Sequence, residues 1–313
     1  MAGRQLRGTA EQVSGSWMRG VTDGMSGAVA ALRQDFLARR PVRTASLIVT
    51  LFGDAIVPRG GTLSIRALID LTGALGIEPG AVRTAMSRLV AEGLFERRDG
   101  GRRPRYGLSQ EGARTFAAAF RRVYAGERQP DGRGFRLLVL PAAARKAADM
   151  AALEAAGFRP LAAGVLVAPG SAVPASVPAD AFLFDAVAEP AMVRRIATEA
   201  LGMGETVAAY RRLADAQASL LRLVEASPPS PGEAFVIRTL AVHAFRRAVI
   251  HDPALPEDLL PADRPDIEAR RTMARLYAAL VAPSEQHVDA VTDADGENLP
   301  GAAIDLTRRF GIG

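Results

Sequence analysis

The 313-residue chain contains no cysteine, which excludes disulfides, thiolate metal sites and cysteine nucleophiles in one step. Lysine is almost missing as well: Lys146 stands alone among 39 basic residues, and the rest are Arg. That bias holds along the whole chain, so it marks composition and not a site. Aromatic residues are scarce at 5%, with a single tryptophan, Trp17. No run approaches the ~18 uninterrupted apolar residues of a membrane helix. Met1 to Gly8 lacks the basic start and apolar run of a signal peptide, so a soluble, cytoplasmic protein is expected. Catalytic signatures are missing too. The three histidines, His243, His251 and His287, do not pair at metal-ligand spacing. There is no P-loop and no Gly-x-Ser-x-Gly elbow. Gly202-Met203-Gly204 is too short for a dinucleotide fingerprint and follows a helical pattern instead of a strand. The sequence argues against an enzyme, and no cofactor is expected.

What is present is a globular composition, 49% hydrophobic and 23% charged, in a chain long enough for two or three domains. The net charge of +5 conceals an asymmetry: residues 1–128 carry 20 Arg against 11 acids, whereas residues 129–313 carry 19 basic residues against 23 acids. Only the front of the molecule is expected to meet a polyanion.

Helical spacing of Val29, Leu32, Phe36 and Leu37 predicts a helix that stops before Pro41. Leu47, Ile48, Leu51 and Phe52 form a second apolar stripe, broken by the turn Pro58-Arg59-Gly60-Gly61. A short strand, Thr62 to Ile65, leads into a helix carrying Ala67, Leu68 and Leu71. Glu78-Pro79 opens another, with Pro at the permitted first position and Gly93 at its end. Two short strands follow around Asp99-Gly100-Gly101, a strong hairpin signal, and Ser109 caps a further helix. Helix, strand, helix, helix, hairpin, helix is the order of a winged helix-turn-helix. Further on, strands and helices alternate from Phe135 to Leu201, which suggests a small ferredoxin-like α+β domain. From Glu205 the chain reads as all-helical, and Asp289 to Pro300, acidic and Gly-containing, is expected to fray.

The segment Pro79 to Glu92 is the most informative. Val82, Met86, Leu89 and Val90 fall on one face, leaving Arg83, Thr84, Ser87 and Arg88 largely on the other. Arg can bond bidentately to guanine edges, while Thr and Ser let a helix approach closely and bond phosphate. The hairpin beside it carries Arg97, Arg98, Arg102, Arg103 and Arg105, with Tyr106 next. So many like charges on two short strands repel unless a polyanion neutralises them, which points to a wing on a DNA backbone.

The same residues carry a family resemblance. Ser46-Leu47-Ile48-Val49-Thr50-Leu51-Phe52-Gly53-Asp54, the Pro58 to Gly61 turn and Val82-Arg83-Thr84-Ala85-Met86-Ser87-Arg88-Leu89 resemble the PaaX family of bacterial repressors of phenylacetate and related aromatic catabolism. The likeness continues in Arg238-Thr239-Leu240-Ala241-Val242-His243 and in Asp252 to Pro261, and covers about residues 42–282. The chain departs from the family pattern at Ala244-Phe245, where Glu-Tyr is common, and at Arg264, where Trp is common. The resemblance implies an α+β multidomain protein: a winged-helix reader, a ferredoxin-like (Cas2-like) middle domain and an all-α C-terminal domain. It also implies an aryl-acyl-CoA effector that releases the protein from double-stranded operator DNA. A Cas2-like nuclease needs a carboxylate at the end of its first strand, where this chain has Leu140-Pro141, so that domain reads as non-catalytic.

The expected organisation is an N-terminal extension (1–40), a DNA-binding domain (41–128), a middle domain (133–203), a helical C-terminal domain (204–284) and a tail (285–313). A homodimer is expected, because Leu220, Leu221, Val224, Ile237, Leu240 and Val249 supply more apolar surface than one helical unit needs. A CoA thioester needs Arg beside an apolar slot, and His243, Arg246 and Arg247 offer that combination. Salt bridges from Arg246 and Arg247 to acids such as Asp252 or Glu257 in the following loop are the favoured reading of the same residues. Two other functions fit the residues: an architectural DNA-binding protein without effector, and an interaction scaffold whose basic hairpin is merely solvated.

Overall fold

The computed structural model describes residues 24–38, 44–98, 104–126, 134–142, 144, 150–169, 177–252, 262–293 and 296–310. Trp17 and the tip of the predicted hairpin lie outside them. The chain is mixed α/β, with two small antiparallel sheets and a helical C-terminal region. It divides into two compact units that cut across the five expected segments. One gathers Met1–Gly126, Arg212–Arg247 and Ile267–Gly313; the other gathers Glu127–Arg211 and Ala248–Asp266.

In the first unit, α1 (Gly24–Ala38) precedes α2 (Thr44–Leu51). The predicted stripe of α2 is buried, with Leu47, Ile48, Leu51 and Phe52 all withdrawn from solvent. α2 widens into a π-helical turn over Phe52–Ile56 and tightens into a 3₁₀ turn over Val57–Arg59. Gly60 and Gly61 then reverse the chain at φ +93° and +70°, a conformation that other residues adopt only at a cost. β1 (Thr62–Ser64), α3 (Ile65–Gly73), α4 (Pro79–Ala91), β2 (Phe95–Arg98), β3 (Arg105–Leu108) and α5 (Gln110–Phe120) follow in the predicted order. The strands pair in the order β1-β3-β2. Phe95 of β2 meets Phe52 edge-on at 4.7 Å and so pins the hairpin to α2. Ser109 Oγ accepts the Gly112 N–H at 2.9 Å, the predicted cap of α5. Gly112 is obligatory there, because a Cβ would sit on the Leu94 carbonyl.

The helices of the C-terminal region are α8 (Met203–Ala226), α9 (Pro231–His251) and α10 (Pro265–Asp289), which runs through Pro283. In α9, residues 234–243 are buried on every side, so this is a central helix with no solvent face. The six apolar residues expected to form a dimer surface, Leu220, Leu221, Val224, Ile237, Leu240 and Val249, are buried inside the chain itself. That argument for a dimer is therefore corrected: the surface is already used.

A buried charge cluster crosses this unit. Asp54 accepts from Arg238 Nε at 2.8 Å, Arg309 Nη1 at 2.8 Å, Tyr124 Oη at 2.8 Å and Tyr277 Oη at 3.0 Å. Arg238, 1% exposed, also donates to Glu285 at 2.6 Å. Residues beyond Asp289 do not fray as expected: Leu299, Leu306, Arg309 and Phe310 are buried. Phe310 packs edge-on against Phe245 at 5.5 Å.

The second unit contains β4 (Gly134–Val139), α6 (Met150–Ala155), β5 (Arg159–Ala162), β6 (Val165–Pro169), β7 (Phe182–Val187) and α7 (Pro190–Glu199). The antiparallel sheet order is β5-β6-β4-β7. Alternation along β4 and β6 sends Leu138, Leu166 and Ala168 toward Leu153 of α6, and Phe135 and Val167 toward Val193 and Ile196 of α7. The two helices thus cover opposite faces.

Candidate nucleic-acid interface

Helix α4 begins at Pro79 after an extended Glu78, as a first-turn proline prefers. It packs on α2, α3 and β2. Val82, Ala85, Met86 and Leu89 are buried by that packing, while Val90 is only half-buried. Arg83, Thr84, Ser87 and Arg88 are all exposed, so the structure brings the four predicted residues onto one open face. Arg83 has no hydrogen-bond partner among the described residues. Arg88 is 73% exposed and paired with Glu92 one turn on, Nε to Oε1, at 2.6 Å. An exposed pair of this kind is weak and gives way readily to a stronger anion.

The hairpin continues the basic surface. Arg97 and Arg98 are exposed on β2, and Arg98 donates to Glu96 at 2.8 Å and to the Leu108 carbonyl at 3.0 Å. Tyr106 is half-buried on β3, directly across from Arg97 and from Leu63 of β1. Arg102 and Arg103 lie outside the described residues. Arg105, expected to meet phosphate, is half-buried, with its Nη2 2.6 Å from the Asp293 carboxylate, which is 4% exposed. A buried carboxylate holds it inward because an unpaired charge there is costly to either partner.

The three residues predicted to bind an effector lie on α9. His243 is buried, its Nδ1 3.0 Å from Thr50 Oγ1 and its ring edge-on to Phe36 at 5.6 Å. Arg246 is half-buried and donates to Ser46 Oγ at 3.3 Å. Burial pulls its pKa below the usual guanidinium value. Arg247 is half-buried, and Glu257 lies outside the described residues. No helix among the described residues is long and apolar enough to cross a membrane.

Sequence reasoning missed the Asp54 cluster and Asp293. Asp54 and Arg238 do stand inside the quoted family blocks, but nothing local marks them as partners, since 184 residues separate them.

Two family models match. Residues 43–112 match the PaaX-like protein family, and residues 203–290 match the PaaX-like protein C-terminal domain. The transcriptional repressor PaaX of Escherichia coli (strain K12) is 31% identical over 288 residues, covering 87% of this chain and 91% of that protein. The chain belongs to the PaaX family. The first match ends at Gly112, the glycine that lets α5 approach Leu94, and so takes in the whole of α4 and the hairpin. The second spans α8 to α10 and includes Arg238 and Glu285 of the charge cluster. Residues 291–310 of this PaaX-family chain follow both matches.

Proposed function

We propose that the chain is a transcriptional repressor that reads double-stranded operator DNA through a winged helix-turn-helix. The observation that carries this reading is the open face of Arg83, Thr84, Ser87 and Arg88 on α4, a helix packed against the strand that displays Arg97 and Arg98. In this reading α4 lies in the major groove, where Arg83 and Arg88 bond base edges, and the β2–β3 wing follows the backbone. The printed name of the Escherichia coli relative supports the repressor role. A homodimer reads two half-sites about one helical turn apart, because one such domain covers little DNA. The strand order β5-β6-β4-β7 is the feature that favours a ferredoxin-like, Cas2-like middle domain, read here as non-catalytic; α7 departs from that pattern, since it follows β7 instead of preceding it and covers the face opposite α6. An aryl-acyl-CoA thioester releases the repressor, which then serves an aromatic-acid operon of the phenylacetate type.

Fluorescence anisotropy tests the proposal, with labelled DNA from upstream of the chain's own gene, unrelated DNA and a salt series. The repressor reading expects operator binding on the order of 10³-fold tighter than non-specific binding. Equal affinity for both DNAs makes the protein architectural. No retention at physiological salt leaves a solvated hairpin. Adding phenylacetyl-CoA tests release, and Arg246→Ala tests the pocket: release at an unchanged ligand concentration places it elsewhere.

A further inference from the structure

Residues 291–310, outside both family matches, are built into the unit that carries the DNA-reading face. Residues 291–293 pair with residues 297–299. Leu299 N–H donates to the Val291 carbonyl at 3.2 Å, Thr292 bridges Asn298, and Asp293 N–H donates to the Glu297 carbonyl at 2.8 Å. This small loop aims the Asp293 carboxylate inward. Oδ1 accepts the Ser64 N–H at 3.1 Å, and Oδ2 lies 2.6 Å from Arg105 Nη2. Ser64 ends β1 and caps α3, its Oγ accepting the Ala67 N–H at 3.2 Å. Arg105 begins β3, opposite Ser64 on one side and Arg98 on the other. A single carboxylate thus fastens β1, the start of α3 and the root of the wing. Further joints follow: Arg59 Nη1 donates to the Pro300 carbonyl at 2.7 Å, and Ala303 N–H donates to the Pro58 carbonyl at 2.8 Å.

We propose that Asp293 is a positioning residue for DNA recognition: by drawing the Arg105 guanidinium inward it fixes the wing against α3 and α4, so that Arg97 and Arg98 face the DNA. Two physical facts support this. Arg98 and Arg105 stand directly opposite each other, and the counter-charge beside Arg98 is the exposed Glu96, a weak pair, so a buried carboxylate on Arg105 further relieves their repulsion across the β2–β3 register. β1 has only three residues and so offers a short ladder to β3, which the Asp293 contact to Ser64 N–H reinforces. Asp293 supplies both the charge and the fastening.

The inference rests on the DNA-binding reading, and its test separates the two. Full-length Asp293→Asn, Arg105→Gln and the double variant are compared with wild type by DNA affinity over a salt series. Amide hydrogen exchange is followed at residues 62–64 and 105–108. Each single variant is expected to lose on the order of tenfold in affinity. The salt slope stays unchanged, because no phosphate contact is removed. Exchange at those amides quickens, while α9 stays protected. The double variant removes both buried charges, folds, and still binds weakly because the wing is unbraced. A flattening of the slope by about one unit in Arg105→Gln makes Arg105 a phosphate contact and overturns the inference. Wild-type affinity in Asp293→Asn or in the double variant overturns it as well, leaving only a stabilising pair. If the wild type binds no DNA, the function reading falls, and unchanged exchange in Asp293→Asn separately shows that the carboxylate does not fix the wing.

Discussion

Asp54→Asn isolates the charge at the centre of the buried cluster while preserving side-chain volume. The carboxylate receives four donors within 3.0 Å: Arg238, Arg309 and the hydroxyls of Tyr124 and Tyr277. An amide in its place turns an NH₂ toward one of these donors and removes the negative charge. Arg238 keeps Glu285, but Arg309 is left with the Asp54 and Gly53 carbonyls and the Tyr277 hydroxyl. Breaking a buried ion pair from one side costs about 3–5 kcal/mol. Against a total stability of about 5–15 kcal/mol this is a large share. With a urea slope of ~2 kcal/mol per M, the midpoint should fall by about 2 M, followed by far-ultraviolet circular dichroism at pH 7. The pH dependence supplies a second reading. Burial alone pushes the Asp54 carboxyl up, but Arg238, Arg309 and the two tyrosine hydroxyls outweigh it, so its pKa lies below the ordinary 3.8. The unfolded chain therefore binds the proton more readily than the folded one. The contribution is whole above the ordinary value and is lost as pH falls through the lower folded one. The gap between wild type and variant should accordingly narrow in acid. A midpoint within about 0.3 M of wild type at pH 7 would refute the reasoning.

Arg83→Ala and Arg88→Ala should each weaken operator binding about ten- to a hundredfold without shifting the unfolding midpoint, and the loss should concentrate on one operator position. Arg97→Ala should weaken all DNA sequences alike and flatten the salt slope by about one unit, checked by anisotropy from low to physiological salt. Gly112→Ala should destabilise by about 1–3 kcal/mol in urea unfolding, since its Cβ meets the rigid Leu94 carbonyl and not a side chain that can swing away.

Much of the region around α4 and the hairpin was legible because its signals are local. Pro79, the buried stripe of α4, the Pro58 to Gly61 turn and the Ser109 cap each act over a few residues. The exposed face of α4 was readable for the same reason: burial of one side dictates exposure of the other. Strand β5 went unread because it is a four-residue edge strand containing Pro160, mostly exposed, so no apolar alternation marks it. Helix α9 was found, but its faces could not be assigned, since a helix buried all round shows no stripe. Arg105 looked like its neighbours in composition. Only the return of Asp293 from the far end of the chain turns it inward, and that pairing leaves no trace in local sequence. The same holds for residues 296–310, whose Gly- and Pro-containing sequence without apolar periodicity hides buried Leu299, Leu306 and Phe310.

The separation of Asp54 from its partners bears on synthesis. Arg238 follows it by 184 residues and Arg309 by 255. At translation rates of about 5–20 residues per second, Asp54 leaves the ribosome roughly 13–50 s before Arg309 can reach it. For roughly the first 9–37 s of that interval, until Arg238 is made, the carboxylate has neither guanidinium available and its burial is disfavoured. Closing so long a loop adds little entropy beyond closing a medium one, so the delay is set by the ribosome and not by the chain search. A nascent chain that already contains every residue of α4 and the hairpin therefore cannot complete the Asp54 cluster, which closes only once Arg309 has been made.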